Sequence, residues 1–276
     1  MPTDGPLFTF HALASGSSGN AYLLRTEKVA ILVEAGLRLP LLRTHLAGVG
    51  LRPEELTAVF ISHEHRDHCL AARDLAVDCG AAIYTNAHVL KAMGLHDLSS
   101  SRVVEPGETV LVGDVEVSTF RVQHDAVCPV GFLIRARDRT ICLATDLGQG
   151  TDEVQEAVNR SDLVVLEANH DYDMLLHGRY PYHLRRRVSS PTGHLSNSQA
   201  ARILVDSVKE SGADVWLAHL SKENNTPALA LQTVRQHFKG ARRRSVAVDV
   251  LRRDRPSLRW TGARRPQQLS LFAEGI

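Results

Sequence analysis

The chain has few cysteines, few aromatic residues, almost no net charge and no long apolar run. Its four cysteines, Cys69, Cys79, Cys128 and Cys142, form no Cys-x-x-Cys pair. They are expected to be reduced, mostly buried thiols rather than two disulfides. No stretch approaches the roughly 18 apolar residues of a membrane span. The start, MPTDGPLFTFHALASGSSGN, carries an acid at Asp4 and lacks a basic opening and an apolar run ending in a cleavage site. A secretory signal is therefore not expected, and a cytoplasmic location is. Thirty-two basic residues against 31 acidic ones give +1, a total that points to no nucleic-acid or membrane partner. Aromatics are 5%, yet hydrophobic residues reach 43% of 276, which excludes a disordered chain and allows a sizeable core.

What the chain does have is histidine, 14 copies of the commonest metal-ligating side chain. Short apolar runs rich in β-branched residues, bounded by Gly, Asp, Asn or Ser, predict strands. They are Leu7–Leu13, Ala21–Leu24, Val29–Val33, Ala58–Ser62, Val115–Val122, Thr140–Thr145, Leu163–Glu167 and Val215–Ala218. Helix patterns are clearest at Ser196–Lys209, with Ser196 as N-cap, and at Thr226–Phe238. Strands at hairpin spacing early, then alternation with helices, suggest two packed sheets covered by helices. One catalytic domain over 1–255 and a flexible tail over 256–276 are expected.

Ser62-His63-Glu64-His65-Arg66-Asp67-His68 follows the strand-like AVFIS. Four ligand-type side chains in six residues are hard to explain as packing. His63 and His65 are two apart, so in an extended segment both project to one side. Asp67 and His68 come where the chain turns towards a helix, at roughly Leu70–Cys79, and can serve a second position. Two metals about 3.5–4 Å apart need ligands split in this way.

HxHxDH resembles the signature of the metallo-β-lactamase fold hydrolases, whose architecture is a four-layer αββα sandwich of the α/β (α+β) type. The resemblance implies late ligands at strand ends, and His124, Asp146 and His219 follow VEVSTFRV, TICLAT and ADVWLA in the family's order. It implies that His63, His65 and His124 hold one metal, that Asp67, His68 and His219 hold the other, and that Asp146 bridges them. SGSSGN (15–20), EANHD (167–171), GRYPYHLRRR (178–187), GHLSN (193–197) and HLSKENN (219–225) are similar to the YycJ/WalJ branch, over residues 7 to 250.

Two divalent cations lower the pKa of a shared water towards 7 and neutralise charge on phosphate oxygens, with Asp67 and Asp146 orienting the nucleophile. Mixed imidazole and carboxylate ligands suit Zn²⁺ or Mn²⁺ and leave the choice open. The segments around Glu167 and His194 resemble loops of the tRNA 3′-end endonucleases, which implies that His194 is a general acid oriented by Glu167. The helix start near Ser196 suits a phosphate, placing Ser196 and Asn197 among the nucleic-acid contacts. Arg179, Arg185, Arg186 and Arg187 interleave with Tyr180, Tyr182 and His183, with no acid between Asp173 and Asp206. Arginine pairs with phosphate and the rings stack on bases, so beside a phosphodiesterase-like metal site this stretch points to DNA.

The charge is also unevenly spread. Arg235–Arg265 holds eleven basic residues against two acids, a local +9 that leaves about −8 for the remainder. Beyond it, Gln268, Leu269, Leu271 and Phe272 in QLSLF resemble the peptide with which bacterial DNA polymerases and repair proteins dock on the sliding clamp. The expected function is a two-metal phosphodiesterase on DNA, a 5′→3′ exonuclease of mismatch repair recruited by the clamp. An RNA-processing nuclease and a thioesterase-type metallohydrolase are the alternatives.

Overall fold

The computed structural model describes residues 8–209, 212–241 and 246–262. The first sheet contains β1 (Phe8–Ala14), β2 (Ala21–Thr26), β3 (Ala30–Val33), β4 (Ala58–Phe60), β5 (Ala82–Thr85) and β6 (Ser101–Val103). The second contains β7 (Thr109–Val112), β8 (Val115–Arg121), β9 (Val130–Ala136), β10 (Arg139–Ala144), β11 (Leu163–Glu167), β12 (Asp214–Ala218) and β13 (Ala247–Val250). The last strand, β14 (Arg259–Trp260), returns to the first sheet beside β1. The sheet orders are β14-β1-β2-β3-β4-β5-β6 and β13-β12-β11-β10-β9-β8-β7. The helices are α1 (Leu39–Ala47), α2 (Arg66–Cys69), α3 (Ala72–Val77), α4 (Ala87–Ala92), α5 (Asp152–Asn159), α6 (Tyr172–His177), α7 (Tyr182–Val188), α8 (Asn197–Ser207) and α9 (Pro227–Gly240).

Three apolar layers make this an αββα sandwich. Phe10, Phe60, Phe132 and Trp216 fill the space between the sheets. Leu42 and Leu46 of α1, Leu75 of α3 and Val89 of α4 cover the outer face of the first sheet. Val154 of α5, Ala200 and Leu204 of α8, and Val234 of α9 cover the second. Every residue of β11 and β12 is buried, as expected of parallel strands with both faces covered. Their unbroken apolar runs are the sequence signature of that burial.

The eight predicted strands all form, Leu163–Glu167 with the same bounds and the others with ends shifted by at most two residues; Leu7 lies outside the described residues. The strand β6, Ser-Arg-Val, is mostly exposed and carries no apolar run; β7, Thr-Val-Leu-Val, carries one but was not among the predicted strands. In place of one helix over 70–79, α2 begins at Arg66 and a break at Leu70–Ala71 precedes α3. The chain past residue 255, expected to begin the tail, pairs with β1 through β14; there Trp260 donates to Asp214 at 2.8 Å. All four cysteines are free, but only Cys142 is buried and the other three are half-buried. No helix among the described residues is long and apolar enough to cross a membrane.

Trp216 stacks on Phe10 at 5.8 Å between ring centres and sits in the middle layer at 1% exposure. Trp216→Ala should cost about 3–5 kcal/mol in denaturant unfolding, as the largest side chains do when removed from a packed core. A loss below about 1 kcal/mol would mean the two sheets are not packed through this ring.

Candidate metal centre

The site lies where strands from both sheets end. Glu34 follows β3, His63 follows β4, His124 follows β8, Asp146 follows β10, Glu167 ends β11 and His219 follows β12. Glu34, Asp146 and His219 have φ of 66°, 57° and 53°, in the left-handed region that ordinary residues seldom adopt. Such strain clusters at functional sites, because the surrounding fold must pay to aim the side chains there.

Two ligand groups face each other. The ring nitrogens of His63, His65 and His124 converge on one point, and Asp67, His68 and His219 converge on another. Between them, Asp146 reaches His68 Nε2 at 2.8 Å with one oxygen and lies 3.7 Å from His124 Nε2 with the other. The donor atoms fit a divalent cation. His65 Nδ1 and His124 Nε2 approach to 3.3 Å. That is about the edge of a tetrahedron whose metal–nitrogen bonds are about 2.0–2.1 Å. His63 Nε2 is buried with no hydrogen-bond partner among the described residues. Such an atom is costly unless something else coordinates it.

A second layer holds each ring by its other nitrogen, the arrangement that fixes tautomer and orientation in metal sites. His63 Nδ1 meets Ser62 Oγ at 2.8 Å, and His124 Nδ1 meets the Gly193 carbonyl at 3.1 Å. Glu34, fully buried, faces His68 Nδ1 at 3.4 Å. Glu167 Oε1 accepts from both His194 Nδ1 and His219 Nδ1 at 2.8 Å, while its Oε2 accepts the backbone N–H of Leu147 and Leu195. Asp146, Glu167, His194 and His219 also lie close enough to share an ion. With four donors already on Glu167, its role as an anchor is better satisfied than a role as ligand.

Local sequence explains the positioning of α2. A Cβ on Gly36 would come within 1.7 Å of the Asp67 carbonyl, so only glycine permits this approach. The loop behind it donates Ala35 N–H to the His68 carbonyl at 2.7 Å, and Asn20 N–H reaches the Asp67 carbonyl at 2.8 Å.

Burial pushes the imidazoles of His63 and His124 below their usual value. At His219 burial acts in the same direction, but the charge of Asp146 and bonds to Asp67 and Glu167 outweigh it and raise the ring to about 10. Burial raises Glu167, and the His194 and His219 contacts overcome it, bringing the carboxyl down to about 2. The cation-free protein therefore keeps a proton on His219 at neutral pH, and a cation must displace it.

The seven residues expected as ligands thus come together, with His194 and Glu167 beside them. Sequence reading missed Glu34, Ser62 and Asn20; an acid directly after the buried run AILV, followed by Ala-Gly, was the available signal for Glu34. Arg187 pairs with Asp125 at 2.5 Å, Arg186 lies over the Tyr182 ring at 5.8 Å, and Arg185 donates to the Leu176 carbonyl. Arg179 is exposed. Ser196 and Asn197 do not reach a surface phosphate position. Ser196 is buried in a capping box with Gln199, and Asn197 is 1% exposed and bonded to Asn225. Gln268, Leu269, Leu271 and Phe272 lie outside the described residues.

The sandwich and this convergence of imidazole and carboxylate define a metal-dependent hydrolase. The chain belongs to the beta-lactamase superfamily, whose domain model matches residues 30–219. It is 37% identical over 233 residues to "Exodeoxyribonuclease WalJ" of Streptococcus pneumoniae serotype 2 (strain D39 / NCTC 7466), covering 82% of this chain and 87% of that one. It is 32% identical to "Exodeoxyribonuclease YycJ" of Bacillus anthracis, covering 82% and 88%. Among solved structures, the metallo-beta-lactamase fold protein YhfI from Bacillus subtilis shares the fold, with a TM-score of 0.69, 19% identity and coverage of 92% and 98%. The human short-form tRNase Z does so with a TM-score of 0.62, 16% identity and coverage of 91% and 98%.

Glu34→Gln removes the charge behind His68 and leaves its shape. Cation affinity, read by competition with a chromogenic chelator, should fall about 10–100-fold. An unchanged affinity would show that Glu34 does not orient His68.

Proposed function

We propose that the chain is a two-metal phosphodiesterase that hydrolyses DNA as a 5′→3′ exonuclease. The reading is carried by two facing ligand groups bridged by Asp146, in a chain whose relatives carry exodeoxyribonuclease names. His63, His65 and His124 would hold one cation and Asp67, His68 and His219 the other, with Zn²⁺ or Mn²⁺ as the metal. Such a pair supplies an activated water near neutral pH and neutralises charge on the phosphate.

The remaining chemistry belongs to side chains. Asp67 and Asp146 orient the attacking water. Glu167 holds His194 by Nδ1, and His194 Nε2 has no partner among the described residues. It is placed to protonate the leaving O3′ of the cleaved bond, with Glu167 stabilising the imidazolium before transfer. Arg179, Arg185, Arg186 and Arg187 draw the phosphate backbone to this edge of the site. Residues 1–255 carry catalysis. Gln268, Leu269, Leu271 and Phe272, beyond β14, dock on the sliding clamp and bring the enzyme to mismatch repair.

His194→Ala should lower turnover of DNA by about 10²–10⁴-fold, the usual span for a lost general acid. On bis(p-nitrophenyl) phosphate, whose leaving group needs no proton, the loss should be less than about tenfold. Equal losses on both substrates would assign His194 another role.

Metal-loaded protein should degrade labelled duplex DNA and show binding that weakens steeply with salt. Cleavage of RNA alone, or turnover of thioesters without DNA binding, would overturn the reading. Deleting residues 267–276 should abolish clamp binding and leave hydrolysis of a short duplex unchanged; loss of that hydrolysis would count against the tail as a docking peptide.

A further inference from the structure

Beside His194, on the side of α7, lies a cavity of about 170 Å³. Ser17, Asn169, Tyr180, Arg187, His194 and Ser221 line it, drawn from loops and helix edges far apart in the chain. The lining offers hydroxyls, an amide and one guanidinium. Its single carboxylate, Asp125, is already paired with Arg187 Nε at 2.5 Å. Arg187 is thereby held at one edge, and its two terminal nitrogens have no partner among the described residues. Its side chain is more than half exposed, so the free edge is open to an incoming anion and suits two phosphate oxygens.

Size narrows the ligand. At about 30 Å³ per water, the cavity has room for roughly five or six. That accommodates a pentose with its phosphate and falls well short of the about 300 Å³ from which pockets for whole small molecules begin. A nucleobase would have to stay outside.

Orientation follows from the reading of His194 as the acid, on which this inference rests. Water adds its oxygen to phosphorus, the P–O3′ bond breaks, and His194 gives its proton to O3′. The proton shed by the attacking water returns through solvent to restore the imidazolium. The phosphate stays on the shortened strand, and the departing nucleotide is the one bearing O3′. That nucleotide lies 5′ to the broken bond, with its sugar against His194, and so in this cavity. Its own 5′-phosphate then faces Arg187.

We propose that the cavity binds the 5′-terminal deoxyribose 5-phosphate of the strand being degraded and leaves the base unread. The enzyme would select phosphorylated 5′ ends and accept ends that have lost their base.

The test uses the Mn²⁺-loaded full chain on duplexes whose single accessible 5′ end carries a phosphate, a hydroxyl, or a phosphorylated tetrahydrofuran in place of the terminal nucleoside. The phosphorylated end should exceed the hydroxyl end in kcat/KM by about tenfold or more, as expected for a lost charge-assisted contact. The abasic end should fall within about threefold of the phosphorylated one. Free 2-deoxyribose 5-phosphate should inhibit competitively and 2-deoxyribose should not. Arg187→Gln should shrink the phosphate preference to about twofold, with Arg187→Lys keeping part of it. Equal rates on phosphate and hydroxyl ends, a blocked abasic end, or an undiminished preference in Arg187→Gln would overturn the assignment while leaving the exonuclease intact. Failure to degrade any of the three ends would overturn the exonuclease reading itself.

Discussion

One buried carboxylate organises half of this site. Glu167 is fully excluded from water, and four donors converge on it: the Nδ1 edges of His194 and His219 and the backbone N–H groups of Leu147 and Leu195. A carboxylate in an apolar sandwich is tolerable only when so completely satisfied. The four bonds join the end of β11 to the loop after β10, the loop after β12 and the approach to α8. They also set the tautomer of two imidazoles at once, turning His219 Nε2 towards Asp67 and freeing His194 Nε2. The first sheet has a smaller counterpart in Glu34, which stands behind His68 in the same way.

The fold supplies the platform for both. Parallel strands covered on each face can end side by side only in a cleft, and left-handed residues at those ends turn the side chains inward. Such a preorganised cluster is expensive without cations, since His219, buried beside Asp146 and Glu167, then carries a proton. It becomes favourable when cations replace that proton. The raised His219 and lowered Glu167 are two signs of the same stored electrostatic demand.

Much of this was legible in the sequence for a physical reason. The density of HxHxDH directly after an apolar strand marked the early ligands, while His124, Asp146 and His219 came from the family resemblance, which puts ligands at the ends of later strands. What was hidden was support rather than chemistry. Glu34, Ser62 and Asn20 act through contacts between segments distant in the chain, which periodicity does not reveal. Ser196 and Asn197 failed in the opposite direction. The helix start was correctly placed, but its polar groups are spent on its own cap and on Asn225. Edge strands such as β6 escaped because exposure removes the apolar signal. The Arg187–Asp125 pair, too, joins residues 62 positions apart.

Two cations, held by these two ligand groups, are proposed to make one hydrolytic centre. Titrating chelator-stripped protein with Mn²⁺ while following release of mononucleotides from duplex DNA tests it most directly. Activity should rise with cation and reach its plateau at about two equivalents per chain, with labelled nucleotide leaving from the 5′ end. Full activity at one equivalent or in the presence of excess chelator would contradict the account.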